Sequence, residues 1–439
     1  MTALRSLFFC AALALLVLAN AGSATAQDAL SGEINAPGQT KMNIVQSKPF
    51  GDPTLPPDAQ TLNELIYKNL SFIPFLHVMK DSEILGGASL AGPRADQIDF
   101  KPFSLAKVDT LITAVWKPGR GIGDVELRAH EVYSQKLLLG KVYSGVTREQ
   151  LSEVADRFCM ELLALLTGQG SIFKAKLAFV KSGGRNVKDI WMVGAMGRDL
   201  APVTHYNGLG MAISPMWSWD GGRIAFTLIG STSHYLGVWS GGRSNVYTLP
   251  STTVISPHFT PSGAIAVALT MRGHTDIFLL DGSNKNIAST LVSDGGISVS
   301  PSFDQSGRLM AFVSDRLGNP NIFLRDGGGT RRISPEGYNT NPSVSPDGKF
   351  VAYSKQTGGG HRIYVYELAT GKETQVSFGP GSDENPTFAP DNYFIAFSSS
   401  RAGGHKLYLT TRGGSGAVQI PTGPGDALMP SFSPVVGKE

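Results

Sequence analysis

Serine and aspartate recur together in a phrase that could hold a nucleophile beside its acid or base. Residues 341–354 read NPSVSPDGKFVAYS, and a looser copy, NPTFAPDNYFIAFS, starts 44 residues later at Asn385. A serine hydrolase would carry its nucleophile on a G-x-S-x-G elbow, which lifts the hydroxyl out of a strand-to-helix turn. No such elbow occurs: the nearest stretch, GGSGA from Gly413, has Ala417 in the last place. The metallopeptidase helix pattern H-E-x-x-H is also absent. Eight histidines, His77, His130, His205, His234, His258, His274, His361 and His405, stand singly, with none at ligand spacing from another. His258 and the turn residues Asp220 and Asp347 would share one mouth if the copies close into a ring. Yet Ser262 and Ser306 occupy the matching place in two other copies, which a catalytic or metal ring would not tolerate. Cys159, next to Phe158 in a helical pattern, reads as a buried, inert thiol. The residues therefore predict no catalytic set, no metal and no cofactor.

What the phrase repeats is a shape. Aligned on its proline it occurs six times, at Pro215, Pro257, Pro301, Pro342, Pro386 and Pro430, with spacings of 42, 44, 41, 44 and 44. A second phrase keeps the same period: DIWMVGAMG, HYLGVWSGG, DIFLLDGSN, NIFLRDGGG, RIYVYELATGK and KLYLTTRGG. Each period holds about four short apolar or alternating runs bounded by Gly, Pro, Asn and Asp. Four strands per unit of 40 to 45 residues is the signature of a propeller blade, so six units predict six blades.

Each piece of the phrase has a mechanical use. Proline is expected to start a strand, where a missing amide donor costs little, and the aromatic residue or Val two places on packs between sheets. Ser-Pro-Asp-Gly forms a tight turn, with φ set by Pro and backbone freedom from Gly. The small Ala of I-A-F-S suits the crowding near the axis. The sixth copy, MPSFSP, lacks its following strand, whereas KLAFVKSGG, DIWMVGAMG and DLAPVTHY near residue 176 lack a first one. Residues 429–434 should therefore pair with Leu177–Val180 and close the ring, leaving no open edge.

Ahead of the repeats the composition changes. Residues 41–170 read as a small α/β domain: MNIVQSKPF, FLHVM, TLITAVW, VELRAHEVY and KLLLGKVYSGV as strands, AQTLNELIYKNLSF and TREQLSEVADRFCMELLALLTG as helices. Thr147 and Gln150 are placed for a capping box, and Gly168 for a helix stop. The expected fold is thus an all-β six-bladed β-propeller over residues 171–439, preceded by this α/β domain.

The first 26 residues carry one basic residue, Arg5, then an apolar run from Leu7 to Ala19 and the small-x-small site Ala24-Thr25-Ala26. This predicts a secretory signal cut before Gln27, because a run of 13 residues is short of the roughly 20 that span a bilayer. Cys10 has Phe8 and Phe9 before it, unlike a lipoprotein signal. Cleavage would leave about 413 residues with a single thiol, and so no internal disulfide. Residues 27–40 read as a mobile arm. The formal charge of +3 falls to about +2 without Arg5, and no Lys/Arg run stands out, which argues against nucleic acid.

Two classes stay open on the residues alone, a protein-binding platform and a propeller hydrolase or lyase acting on peptides or glycans; the missing nucleophile and metal motifs favour the first. The whole layout, an α/β domain with a strand ending in KPF followed by six S-P-D-G-K-type and N-I-F-L-type units, resembles the TolB family of the Tol-Pal system. That resemblance implies a non-enzymatic periplasmic adaptor, monomeric, that supports outer-membrane integrity and constriction at division. Its implied partners are the lipoprotein Pal, the membrane protein TolA and other envelope proteins. Pal would meet the loops that lead into each proline: Thr253, Val254 and Ser256, Ser298 and Ser300, Thr340 and Asn341, Glu384 and Asn385. Thr253 stands where some family members carry His. TolA would take the arm, Gln27, Asp28, Ala29, Leu30, Ser31, Gly32 and Glu33, extending to about Asn35.

Overall fold

The computed structural model describes residues 41–87, 94–184 and 186–435. The proposed signal and arm lie outside the described residues.

The first layer is a sheet ordered β3-β1-β4-β5-β6, with β2 pairing β4. Its strands are β1 (Met42–Gln46), β2 (Phe50–Gly51), β3 (Leu76–Met79), β4 (Thr110–Lys117), β5 (Gly123–Glu131) and β6 (Leu137–Val146). β1 runs parallel to β3 and β4, and β4, β5 and β6 form an antiparallel meander. The helices are α1 (Ala59–Ser71), the short α2 (Lys101–Leu105) and α3 (Leu151–Thr167). In α3, Leu151, Val154, Ala155, Phe158, Cys159, Leu162, Leu163 and Leu166 fall on one buried stripe, the helical period read from the sequence. Burying Phe158 alone contributes about 2–3 kcal/mol. The capping box of Thr147 and Gln150 forms one turn earlier, on a 3₁₀ turn over Arg148–Gln150. Gly168 stops α3 at φ 74°, where its amide bonds back to Ala164. Burial pushes the Cys159 thiol far above its ordinary pKa, so it is inert.

The repeats form six blades. Four are separate four-stranded sheets whose inner strands are Val254–Phe259, Ser298–Phe303, Asn339–Val344 and Asp383–Phe388. A fifth has the inner strand Met211–Trp217. It is joined by one parallel bridge, Met211 to Lys188, to the ring-closing blade. That blade takes its inner strand, Asp426–Phe432, from the carboxyl end, followed by β7 (Lys176–Gly184), β8 (Val187–Gly194) and the two-residue strand Ala201–Pro202. Leu428 pairs with Val180, Ser431 with Ala178 and Phe432 with Leu177. The closure is the one expected from MPSFSP, with the strand beginning three residues earlier. Lys176 and Ser433 lock it further: the Lys176 amide donates to Ser433 Oγ at 2.9 Å, and the Ser433 amide to the Lys176 carbonyl at 2.8 Å.

One expectation needs correction. The repeated proline does not start its strand; it sits inside, at a bulge. In all six inner strands the register slips across it, as between Thr340 and Ser343 or between Leu428 and Ser431. The residue before each proline, Ser214, Ser256, Ser300, Asn341, Asn385 and Met429, has φ between 47° and 54°. A proline is tolerated mid-strand where a bulge or an edge position removes the need for its amide.

Candidate functional site

Antiparallel blades put two kinds of loop at opposite ends. At one end lie the segments leading into the inner strands and the loops between second and third strands, here called the lead-in face. At the other lie the S-P-D-G turns, the turn face.

At the turn face, polar groups are used locally. Ser345 Oγ donates to Asp347 Oδ1 at 2.7 Å and accepts the Phe350 amide at 2.9 Å. Asp220 accepts from Ser218 Oγ at 2.5 Å and from the Gly222 amide at 2.9 Å, and these bonds hold its carboxyl below its ordinary pKa. The Ser/Asp pair of the repeated phrase is therefore a turn lock. Gly348 takes φ 69° here, and Asn392 does so in the blade that lacks the glycine, at 62°. The α/β region packs on this face. Phe75 meets Tyr393 edge-on at 6.2 Å and Phe394 at 6.5 Å, and Arg198 grips Asp156 of α3 at 2.6 and 2.8 Å. Asn69 of α1 adds a third bond to Asp156, at 2.8 Å.

Within the ring, hydroxyls clasp neighbouring blades. The residue after the proline accepts the next blade's amide in four joints: Ser302 from Val344 at 3.0 Å, Ser343 from Phe388 at 3.1 Å, Thr387 from Phe432 at 3.4 Å and Ser431 from Trp217 at 3.3 Å. Met216 and His258 stand in the other two. His258 lines the axial cavity of about 230 Å³ with Trp217, Phe303 and Phe432. Burial lowers its pKa to about 4, so at neutral pH it is an uncharged imidazole donating from Nδ1 to the Phe259 carbonyl at 2.9 Å. It does not meet Asp220 or Asp347, and among the described residues no three His, Cys, Asp or Glu side chains group as metal ligands.

The lead-in face carries the exposed apolar groups, and the six left-handed residues before the prolines lie within the strands that run from it. A non-glycine residue in the left-handed region costs about 1–2 kcal/mol, and strain of this kind gathers at functional sites. Ser256 and Ser300 face each other at 3.3 Å across a blade joint, and Asn385 accepts from Ser398 Oγ at 3.2 Å. Of the residues assigned to this face by sequence, Thr253, Ser256, Ser300, Thr340, Asn341, Glu384 and Asn385 are part-exposed. Val254 and Ser298 are fully buried; Val254 belongs to an apolar cluster, and Ser298 donates to Asp294 at 3.0 Å. Their side chains hold the loops from within.

Sequence reading missed the neighbours of these residues. Leu209, Ile297, Leu317 and Tyr338 are exposed, and all four lie in loops of the lead-in face. Tyr338 packs edge-on against His361 at 6.0 Å, whose Nδ1 is 3.5 Å from Glu384. Buried Asp383 is held by Arg401 at 2.9 Å. The only available signal was an apolar residue in a polar loop, which has no period to mark it. Among the described residues no helix is long and apolar enough to cross a membrane.

Comparison with known proteins places the ring. A family model described as the TolB beta propeller domain matches residues 163–436. The chain is 46% identical over 292 residues to the Tol-Pal system protein TolB of Nitratidesulfovibrio vulgaris, covering 65% of each chain. It is 33% identical over 205 residues to a protein TolB homolog of Chlorobium luteolum, covering 46% of this chain and 45% of that one. The matched segments thus span less than two thirds of these relatives' lengths. A crystal structure of TolB from Acinetobacter baumannii superposes with a TM-score of 0.75 over 91% of this chain and 98% of the other, at 21% identity.

Proposed function

The chain belongs to the TolB β-propeller family, and on that premise we propose that it is a periplasmic, non-enzymatic adaptor of the Tol-Pal envelope system, docking Pal on the lead-in face. One observation carries the proposal: the two ends of the ring are built differently. The turn face is occupied by the α/β region through Phe75 and Asp156, while the lead-in face exposes apolar side chains above inner strands that each hold one left-handed residue. An open, preorganised rim with apolar anchors suits a protein partner, since apolar and aromatic anchors dominate interface energies. The arm, Gln27 to Glu33, is the proposed TolA site. The adaptor would thereby help hold the outer membrane to the envelope and draw it inward during division.

Titration of Pal into the chain tests the first part. Leu317→Asp and Asn341→Lys should each weaken binding at least tenfold, and unchanged binding by both would move the site elsewhere. Pull-down of TolA by the full chain and by a version lacking residues 27–35 tests the second; equal capture removes the arm from the account.

A further inference from the structure

Three blades share a device that ties a cation to an aromatic pair and a carboxylate. Phe312 and Phe323 stack at 5.8 Å under Arg316, which pairs with Asp294. Tyr353 and Tyr364 stack at 6.4 Å under Lys355, which pairs with Glu373 at 2.7 Å. Phe397 and Tyr408 stack at 6.0 Å under Arg401, which pairs with Asp383 at 2.9 Å. Each cation finds its carboxylate within the chain, with burial raising the Glu373 carboxyl to about 7.

The ring-closing blade has the cation and the aromatic without the carboxylate. Strand register makes the equivalence explicit: Phe179 pairs with Trp191 as Tyr353 pairs with Tyr364, which sets Lys181 in the place of Lys355. Lys181 Nζ lies 4.2 Å from the Trp191 ring centroid. In the blade of Lys355 the carboxylate comes from the outer strand, where Gln375 pairs with Tyr364 and Glu373 lies two residues before it. The outer strand here is only Ala201–Pro202, with Pro202 opposite Trp191, so the position of Glu373 falls to Leu200. The blade's two nearby carboxylates are directed elsewhere. Asp189 accepts from Thr204 Oγ1 at 2.7 Å and from the Tyr206 amide at 2.8 Å, and Asp426 accepts the His405 amide at 3.0 Å. Lys406, the second ammonium, bonds to the carbonyls of Gly423 and Gly425 at 3.0 and 2.6 Å. Partial burial, with a smaller contribution from Lys406, lowers the pKa of Lys181, and burial does the same to Lys355, so the contrast between the two lysines lies in the absent carboxylate.

Lys181 opens on a groove of about 770 Å³, walled by Trp191, Asn207, Gly425 and the carboxylates Asp189 and Asp426, both already engaged by hydrogen bonds within the chain. Gly425 and Asp426 lead into the inner strand that carries Met429, so the groove belongs to the lead-in face. We propose that this groove accepts a carboxylate from an acidic side chain of the protein docked on that face, which completes on Lys181 and Trp191 the ion pair that the other three blades make internally. The proposal rests on the docking reading above. A partly desolvated charge pair across an interface fixes register and favours one partner over others, so Lys181 would act as a specificity residue at the rim.

The test is titration of the full chain with Pal at low and high salt, comparing Lys181→Met with Lys355→Met. Methionine keeps an aliphatic stem over the aromatic ring and removes the charge. Lys181→Met should bind about tenfold more weakly at low salt and lose much of the salt dependence, whereas Lys355→Met, whose partner is internal, should bind as the unaltered chain does. Equal melting temperatures for Lys181→Met and the unaltered chain would exclude a folding effect. If the unaltered chain binds and Lys181→Met binds equally with the same salt slope, this inference fails and the docking reading stands. If the unaltered chain does not bind, both fall.

Discussion

At the turn face the polar groups of the propeller serve the chain itself. Ser345, Asp347 and Asp220 lock turns, and Asp156 ties Arg198 to two helices. The same six strands run from the lead-in face and each holds a left-handed residue part-way along. The loops of that face expose Leu209, Ile297, Leu317 and Tyr338, whereas among the described residues no large apolar side chain is exposed in the turns at the far end. The repeat makes blades identical where strands meet strands and lets the two ends diverge, because loop composition is free of the packing rules that fix the sheets. On the proposed reading, one end does structural work and the other recognition.

Removing residues 426–435 should have the largest effect, since it strips the inner strand from one blade and the Ser433 lock with it. A loss comparable with the whole stability of a domain, about 5 kcal/mol or more, should appear as a broad or absent unfolding transition, and an unchanged melting curve would refute the closure. Phe75→Ala should cost about 3–4 kcal/mol by calorimetry while leaving Pal affinity within twofold. A matching loss of affinity would mean that the two ends are not separate in function.

Protonation offers a subtler probe of the turn face. Asp391 is buried in the turn that meets Phe75, and burial raises its pKa to about 6, against partly compensating bonds from the Phe394 and Tyr393 amides. The folded state therefore holds this proton more tightly than the unfolded chain, whose value is near 3.8. Stability from it is complete below about pH 4 and is lost as pH rises through 6. Asp391→Asn should flatten that part of the stability profile and stabilise the chain at pH 7 by about 2–3 kcal/mol. A variant that is no more stable at pH 7 would show the carboxylate to be solvated or paired. The smallest expected effect lies at the lead-in face: Asn341→Val, a β-branched residue at φ 53°, should lower stability by about 1–2 kcal/mol, with Asn341→Gly near neutral.

The sequence made the blade count, the ring closure, the capping box ahead of α3, its glycine stop and the buried Cys159 legible, because each rests on local spacing or on a repeated phrase. The left-handed residue before each proline was not legible. The ordinary preference there is extended backbone, and the bulge that overrides it is a property of the paired strands. The hydroxyl clasps of Ser302, Ser343, Thr387 and Ser431 were hidden for a related reason: a serine after proline is common in turns, and its partner lies a full blade away. For the site, the lead-in loops could be named, yet burial of Val254 and Ser298 depended on how the loops fold back. Lys181 and Trp191 were visible only as strand residues, since the absent carboxylate is defined by comparison with Glu373 in another blade.

We propose that the lead-in face binds the partner and that the turn face does not. Isothermal titration of Pal against Leu317→Asp and Asp156→Ala in parallel tests it most directly. Leu317→Asp should lose at least tenfold in affinity, and Asp156→Ala should bind as the unaltered chain does despite a lower melting temperature. The reverse pattern, with affinity lost in Asp156→Ala and kept in Leu317→Asp, would contradict it.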